Sequence, residues 1–216
     1  MDFAKAIDVT LPLRPAMPLY PGDQPPRLWR RVSRVDGDVL TNSELTIGCH
    51  VGTHVDAPAH FLAKAATVDK LPRKHFFGHA WVADLVRVQH VTEADIRTAR
   101  IPRDQHIILK TRNTFLWAEH RTFTPDYCHV SVEAVARLLE LKPLSIGIDY
   151  YSLDPVSESA FPAHRLVAEA GLPVFVCLDL RRVTAAAPYQ FAAFGLPLAG
   201  AEAVQVRAFL ARPIPT

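Results

Sequence analysis

The chain has 216 residues, about half of them apolar, which suits one domain with a sizeable core. Its 24 basic residues nearly balance 22 acidic ones, and no basic run is longer than a pair such as Arg30-Arg31, which argues against nucleic acid or an anionic membrane as partner. Three scattered cysteines (Cys49, Cys128, Cys177) without a CxxC read as reduced thiols, and MDFAKAIDVTLPL reads as no secretion signal, so the expected location is the cytoplasm.

In chain order, AIDVTL (6–11), RLWRRVSR (27–34), VLTNSELTIG (39–48) and AWVADLVRV (80–88) are predicted strands, β-branched or alternating and bounded by Pro, Gly or Asp. The turn-rich PAMPLYPGDQPP separates the first two. Thr92 with Asp95 three residues on predicts a capped helix start, and HIILKT (106–111) a buried strand. SVEAVARLLEL (131–141) predicts a helix capped by Ser131, with Val132, Val135 and Leu139 as its apolar stripe. LSIGID (144–149) is a strand, AHRLVAEAG (163–171) a short helix stopped by Gly171, and PVFVCLDL (173–180) a buried strand. FAAFGLPL and AVQVRAFLA close the chain as strands. Strand-helix-strand order in the second half predicts parallel pairing and the strand-rich first half antiparallel pairing, together a mixed α/β domain. The 18 prolines punctuate short elements and do not gather into a linker, so residues 1–216 read as one domain.

The segment HVGTHVDAPAHF, His50 to Phe61, carries the chemistry. His50 and His54 have the spacing of two ligands on a helix, but Val51, Gly52, Thr53, Val55 and Pro58 are poor helix formers. A straight strand would hold the two histidines roughly 13 Å apart, too far to share one ion with bonds of about 2 Å. The segment must therefore bend if a metal is shared, and Gly52 permits the bend. Two imidazoles and the Asp56 carboxylate are good ligands for zinc or manganese, and a divalent ion makes a nucleophile of its water near pH 7. His60, four residues past Asp56, is free to act as acid or base. His79, His90, His106, His120 and His129 share no ligand spacing with this group. There is no GxSxG, P-loop or GxGxxG.

HVGTHVDAPAHF resembles the HxGTHxDxPxH signature of the cyclase family, which includes bacterial kynurenine formamidases and related metal-dependent hydrolases. YPGD (20–23), GIDYYSLDP (147–155), FPAHRLVAEAGLPV (161–174) and PLAGAEAVQVRAF (197–209) resemble further family segments in order. The resemblance implies a three-layer β/β/α swivelling domain with a central parallel sheet and an antiparallel sheet, in a homodimer or homotetramer acting on a small molecule. It implies His50, His54, Asp56 and His164 as metal ligands, His60 as general acid/base, and Tyr20 as a wall for an aromatic substrate. The family's last ligand is a glutamate; in register its position is Val176, which cannot bind metal, and Cys177 beside it should face the other way. One ion per chain, zinc or manganese, is therefore expected. The implied reaction is hydrolysis of an amide, ester or lactone, with an aryl formamide such as N-formylkynurenine as the best single substrate. A lyase or cyclase using the same ion, or a binding protein that has lost the two-metal site, are the alternatives. Tyr150 and Tyr151 either narrow the pocket or line it, and Phe61 is expected in the core.

Overall fold

A computed structural model of the chain describes residues 5–119 and 122–213. Its strands are β1 (Ile7–Asp8), β2 (Arg27–Val32), β3 (Asn42–Thr46), β4 (His54–Asp56), β5 (Phe77–Leu85), β6 (His106–Thr111), β7 (Ile146–Ile148), β8 (Val174–Val176), β9 (Ala187–Gly195) and β10 (Ala203–Ala211). Its α-helices are α1 (Glu93–Thr98), α2 (Leu116–Glu119), α3 (Val132–Glu140) and α4 (Pro162–Glu169).

Strands β5, β6, β7 and β8 lie side by side and parallel, as the strand-helix-strand order predicts. β4 joins β8, β10 joins β4, and β9 joins β10 and returns to β5, all antiparallel. The expected parallel and antiparallel sets are both present in a mixed α/β fold, and they join at both ends into one closed ring of seven strands. The long β10 makes closure possible. One edge pairs with β4 over 203–205 and β1 over 209–210, while the other edge holds β9. No helix among the described residues is long and apolar enough to cross a membrane.

Two-residue alternation sorts the strand side chains into two cores. Val55, Ala80, Val82, Ile108, Phe175, Phe191, Val206 and Ala208 pack together inside the ring. The alternate positions Leu85, Ile107, Leu109, Ile146, Ile148, Val174 and Val176 pack outside it, with Val135, Leu138 and Val167 of the helices. Because Val55 points inward, His54 and Asp56 fall on the outer face. The site therefore lies on the barrel's exterior, under the helical layer, and not in its bore.

Local rules account for the helices. Thr92 and Asp95 form a full capping box at α1, and Ser131 accepts from Ala134 N at α3. The buried stripe of α3 is Ala134, Val135 and Leu138 instead of Val132, Val135 and Leu139; Val132, in the first turn, faces solvent. The predicted strand 173–180 keeps only three residues, because Cys177 takes a left-handed φ of 56° and turns the chain off the sheet. β2 and β3 pair only with each other and leave the barrel as a separate two-stranded arm.

Candidate metal centre

Two turns and a bend assemble the site. Tyr20-Pro21-Gly22-Asp23 closes with Asp23 N donating to Tyr20 O, 3.0 Å. Proline at the second position and Gly22 at φ 99° at the third are the requirements of a type II turn. Gly52 has φ 76°, and a Cβ there would lie 2.6 Å from Leu13 Cδ2. The bend there brings the His50 and His54 ring centroids to 5.1 Å, far inside the spacing of a straight strand. Thr53 anchors the bend, donating to Cys177 O at 2.7 Å and accepting from Leu11 N at 2.8 Å. After β4, Pro58 opens a 3-10 turn that carries His60 back over His50, ring centroids 4.1 Å apart.

Each imidazole assigned to a metal is held from behind by an acceptor. His54 Nδ1 donates to Gly52 O at 2.7 Å; a carbonyl only accepts, so this nitrogen carries the hydrogen. His164 Nδ1 lies 2.7 Å from Asp154 Oδ2, and His50 Nε2 lies 3.2 Å from Glu202 Oε1. Outer acceptors of this kind fix the orientation of metal-binding histidines. His54 Nε2 then faces Asp56 Oδ1, 3.3 Å away. His50 Nδ1 stands 3.0 Å from the same oxygen. Asp56 Oδ1 is buried and makes no hydrogen bond of acceptable geometry. Two imidazole nitrogens converging on one buried carboxylate oxygen are a donor set that a cation would complete. Histidine nitrogens and carboxylate oxygens suit zinc or manganese, so the residues present fit a divalent ion.

The electrostatics couple the same three groups. Burial works to raise the Asp56 pKa, yet His54 and His50 hold it well below the usual carboxylate range. Burial works to lower the His50 pKa, but Asp56 and Glu202 outweigh it and raise it. His60 stands at the rim, and its ligand nitrogen lies within 4.8 Å of those of His50 and Asp56. Desolvation lowers its pKa; Asp56 opposes this, and His50 and His164 add to it.

These groups line one cleft of about 340 Å³, at the small end of ligand sites. Tyr20, Phe61, Tyr151 and Phe161 wall it, and Asp23 adds a carboxylate whose pKa burial raises against the pull of His50 and His54. Phe61 is thus a cleft residue, stacked on His164 with centroids 4.9 Å apart, and not a core residue. Tyr151 lines the cleft, while Tyr150 stands behind it and accepts from Thr124 N at 2.9 Å. Sequence reasoning assigned no role to Asp23 or Glu202. Asp23 was visible as the last residue of the YPGD turn; Glu202 had no local signal, because only the β10–β4 pairing brings it to His50. Among the described residues, His79, His90, His106 and His129 are not in the cleft lining; His120 lies outside the described residues.

β8 pairs antiparallel with β4 so that Val176 lies directly opposite His54 and Val174 opposite Asp56. Directly opposed residues share a face, so Val176 presents an apolar side chain on the face of the two proposed ligands. Cys177 is fully buried, and burial pushes its thiol well above the ordinary range, which keeps it protonated.

Fold and cleft together define a closed mixed barrel with a candidate metal centre on its outer wall. The family model "Putative cyclase" matches residues 7–155, and the chain belongs to this Cyclase family. It is 28% identical over 204 residues to a kynurenine formamidase of Geobacillus thermodenitrificans, covering 94% of this chain and 96% of that one. Two solved structures are similar over nearly their whole length. One, a potential metal-dependent hydrolase with cyclase activity, has TM-score 0.84 at 27% identity, covering 98% of this chain and 99% of that one. The other, a predicted metal-dependent hydrolase from Bacillus stearothermophilus, has TM-score 0.82 at 27% identity, covering 95% and 97%.

Proposed function

We propose that the protein is a cytoplasmic metal-dependent hydrolase that adds water to the carbonyl of a small amide, ester or lactone. An aryl formamide such as N-formylkynurenine is the best single substrate. One divalent cation per chain, zinc or manganese, is held by His50, His54 and Asp56, with His164 as a further ligand. The observation that carries this reading is the buried, unbonded Asp56 Oδ1 between two imidazole nitrogens. When bound, the cation supplies the charge that polarises a carbonyl and acidifies water. His60, at the rim of the cleft, takes the proton from water and delivers it to the leaving nitrogen or oxygen. Tyr20, Phe61, Tyr151 and Phe161 hold an aromatic ring against the reacting carbonyl. Val176 supplies no charge to offset a second dication, which limits the site to one. The names of the 28%-identical formamidase and the 27%-identical hydrolases support the reaction class, and three free cysteines fit the compartment.

The test is turnover of an aryl formamide, an aryl ester and a lactone by metal-loaded protein. The formamide should be fastest. His60→Ala should lower kcat by about 100- to 10,000-fold while the cation stays bound. No turnover of any of the three at full metal occupancy would sink the hydrolase reading, and turnover without net addition of water would replace it with a lyase.

A further inference from the structure

The cleft does not end at its aromatic wall. His60, Phe61 and Phe161 also line a second, more open groove of about 620 Å³. Its floor is one face of α4, because Pro162, Arg165, Leu166 and Glu169 recur at helical spacing. The rings of Phe61 and Phe161, centroids 5.8 Å apart, therefore stand at the junction of the two spaces. Phe161 holds a left-handed backbone, φ 49° and ψ 52°, which an L side chain adopts only under strain. Strain kept at the edge of a site points to a function for the side chain it positions. Arg165 is the one arginine or lysine in the groove lining, and it is exposed. Among the described residues its hydrogen bond is a long one, Nη1 donating to Phe61 O at 3.5 Å. The guanidinium thus sits against the residue that follows His60, with most of its five N–H groups uncommitted. Glu169, one helical turn on, is the groove's one carboxylate. The ion pairs within α1 and α3, Glu93–Arg97 and Arg137–Glu140, have no counterpart between Arg165 and Glu169.

We propose that this groove takes a carboxylate-bearing tail of the substrate, and that Arg165 is the specificity residue that selects it. The inference rests on the reading of the cleft as the seat of an aryl carbonyl compound. At about 340 Å³ the cleft has room for a ring and its carbonyl and for little beyond them. A longer substituent must leave it, and the wall shared by Phe61 and Phe161 opens onto α4. There the Arg165 fork can meet a carboxylate with two parallel N–H···O bonds, which a point charge cannot do. Glu169 would repel an anion that reached further along the helix, so the anion's place is beside Arg165, at the cleft end of the groove.

The experiment is titration calorimetry on the full chain with manganese supplied, using aryl ketones, which carry no amide or ester bond to hydrolyse. The probes are 3-benzoylpropionate, its homologue with one more methylene, and the neutral butyrophenone. The wild type should bind at least one of the two acids about 3- to 10-fold more tightly than butyrophenone, the range of a partly screened charge pair. In Arg165→Gln that preference should vanish, and in Arg165→Lys part of it should return. The position is exposed, so both variants should fold, and far-UV circular dichroism checks this. Acids that bind no more tightly than butyrophenone would overturn the inference. So would a folded Arg165→Gln that keeps the preference, or a wild type that binds none of the three. Turnover of the aryl formamide is read separately: its absence counts against the hydrolase reading, while the ketone affinities still decide the role of Arg165.

Discussion

Replacing Val176 with glutamate returns a carboxyl to the wall of the site, and the cost can be worked out. Val176 is fully buried and opposite His54. Without a cation beside it, a glutamate there is neutral in the fold, and protonating it at pH 7 against an ordinary pKa near 4.3 costs about 4 kcal/mol. Overpacking adds about 1–3 kcal/mol. For a chain of this length, a loss of about 5 kcal/mol lowers Tm by about 10–20 °C. Excess cation that binds only the folded state should restore about 3–4 kcal/mol at 100 to 1,000 times Kd. The assay is thermal unfolding of the variant with and without manganese or zinc, alongside its metal content. The variant should be far less stable than the wild type without metal, recover most of the difference with metal, and rise from one ion per chain to two. A variant that loses stability without metal-dependent recovery and still binds one ion would refute the placement of Val176 on the metal-facing side.

Three further outcomes follow from the same geometry. Asp154 both holds His164 Nδ1 and accepts from Ala163 N and His164 N at the start of α4. Asp154→Asn should cost about 1–2 kcal/mol of stability in denaturant titrations and weaken metal binding about 10- to 100-fold in competition with a chelator. Gly52→Ala forces an alanine to φ 76° at the bend between His50 and His54. It should cost about 1–2 kcal/mol and lower metal affinity, whereas an equally stable variant with unchanged affinity would show that the bend does not need glycine. His106 is buried with Nε2 unpartnered, and burial lowers its pKa to about 4. It is neutral in the fold and takes a proton on unfolding below pH 6.5, so its contribution is complete above pH 6.5 and lost as pH falls towards 4. The loss between pH 7 and 4 is about 3 kcal/mol, and His106→Gln should flatten the stability profile by that amount over that range.

The local parts of the structure were legible in the sequence. The capping box at Thr92, the Ser131 cap and the buried strand 106–111 follow from residue types within a few positions. The bend at Gly52 was foreseeable because Val51, Gly52, Thr53, Val55 and Pro58 are poor helix formers and a straight strand cannot bring His50 and His54 together. The parts that escaped depend on distant pairing. Closure of the ring depends on β10 finding β4 and β9 on its two edges. Glu202 reaches His50 from 152 residues away, and Asp154 caps α4 from the preceding loop, where a local cap would be sought at Phe161. Phe61 was misplaced because an aromatic residue after a polar signature looks alike whether it enters a core or walls a cleft. The short β8 was misjudged because nothing in PVFVCLDL announces a left-handed residue at Cys177.

The most direct measurement is the metal-to-chain ratio of the purified protein by elemental mass spectrometry, with His54→Ala beside it. The account predicts about one zinc or manganese per chain in the wild type, lost in the variant. A wild type that binds neither ion when both are supplied would contradict it, because His50, His54 and Asp56 would then be held together by protons alone.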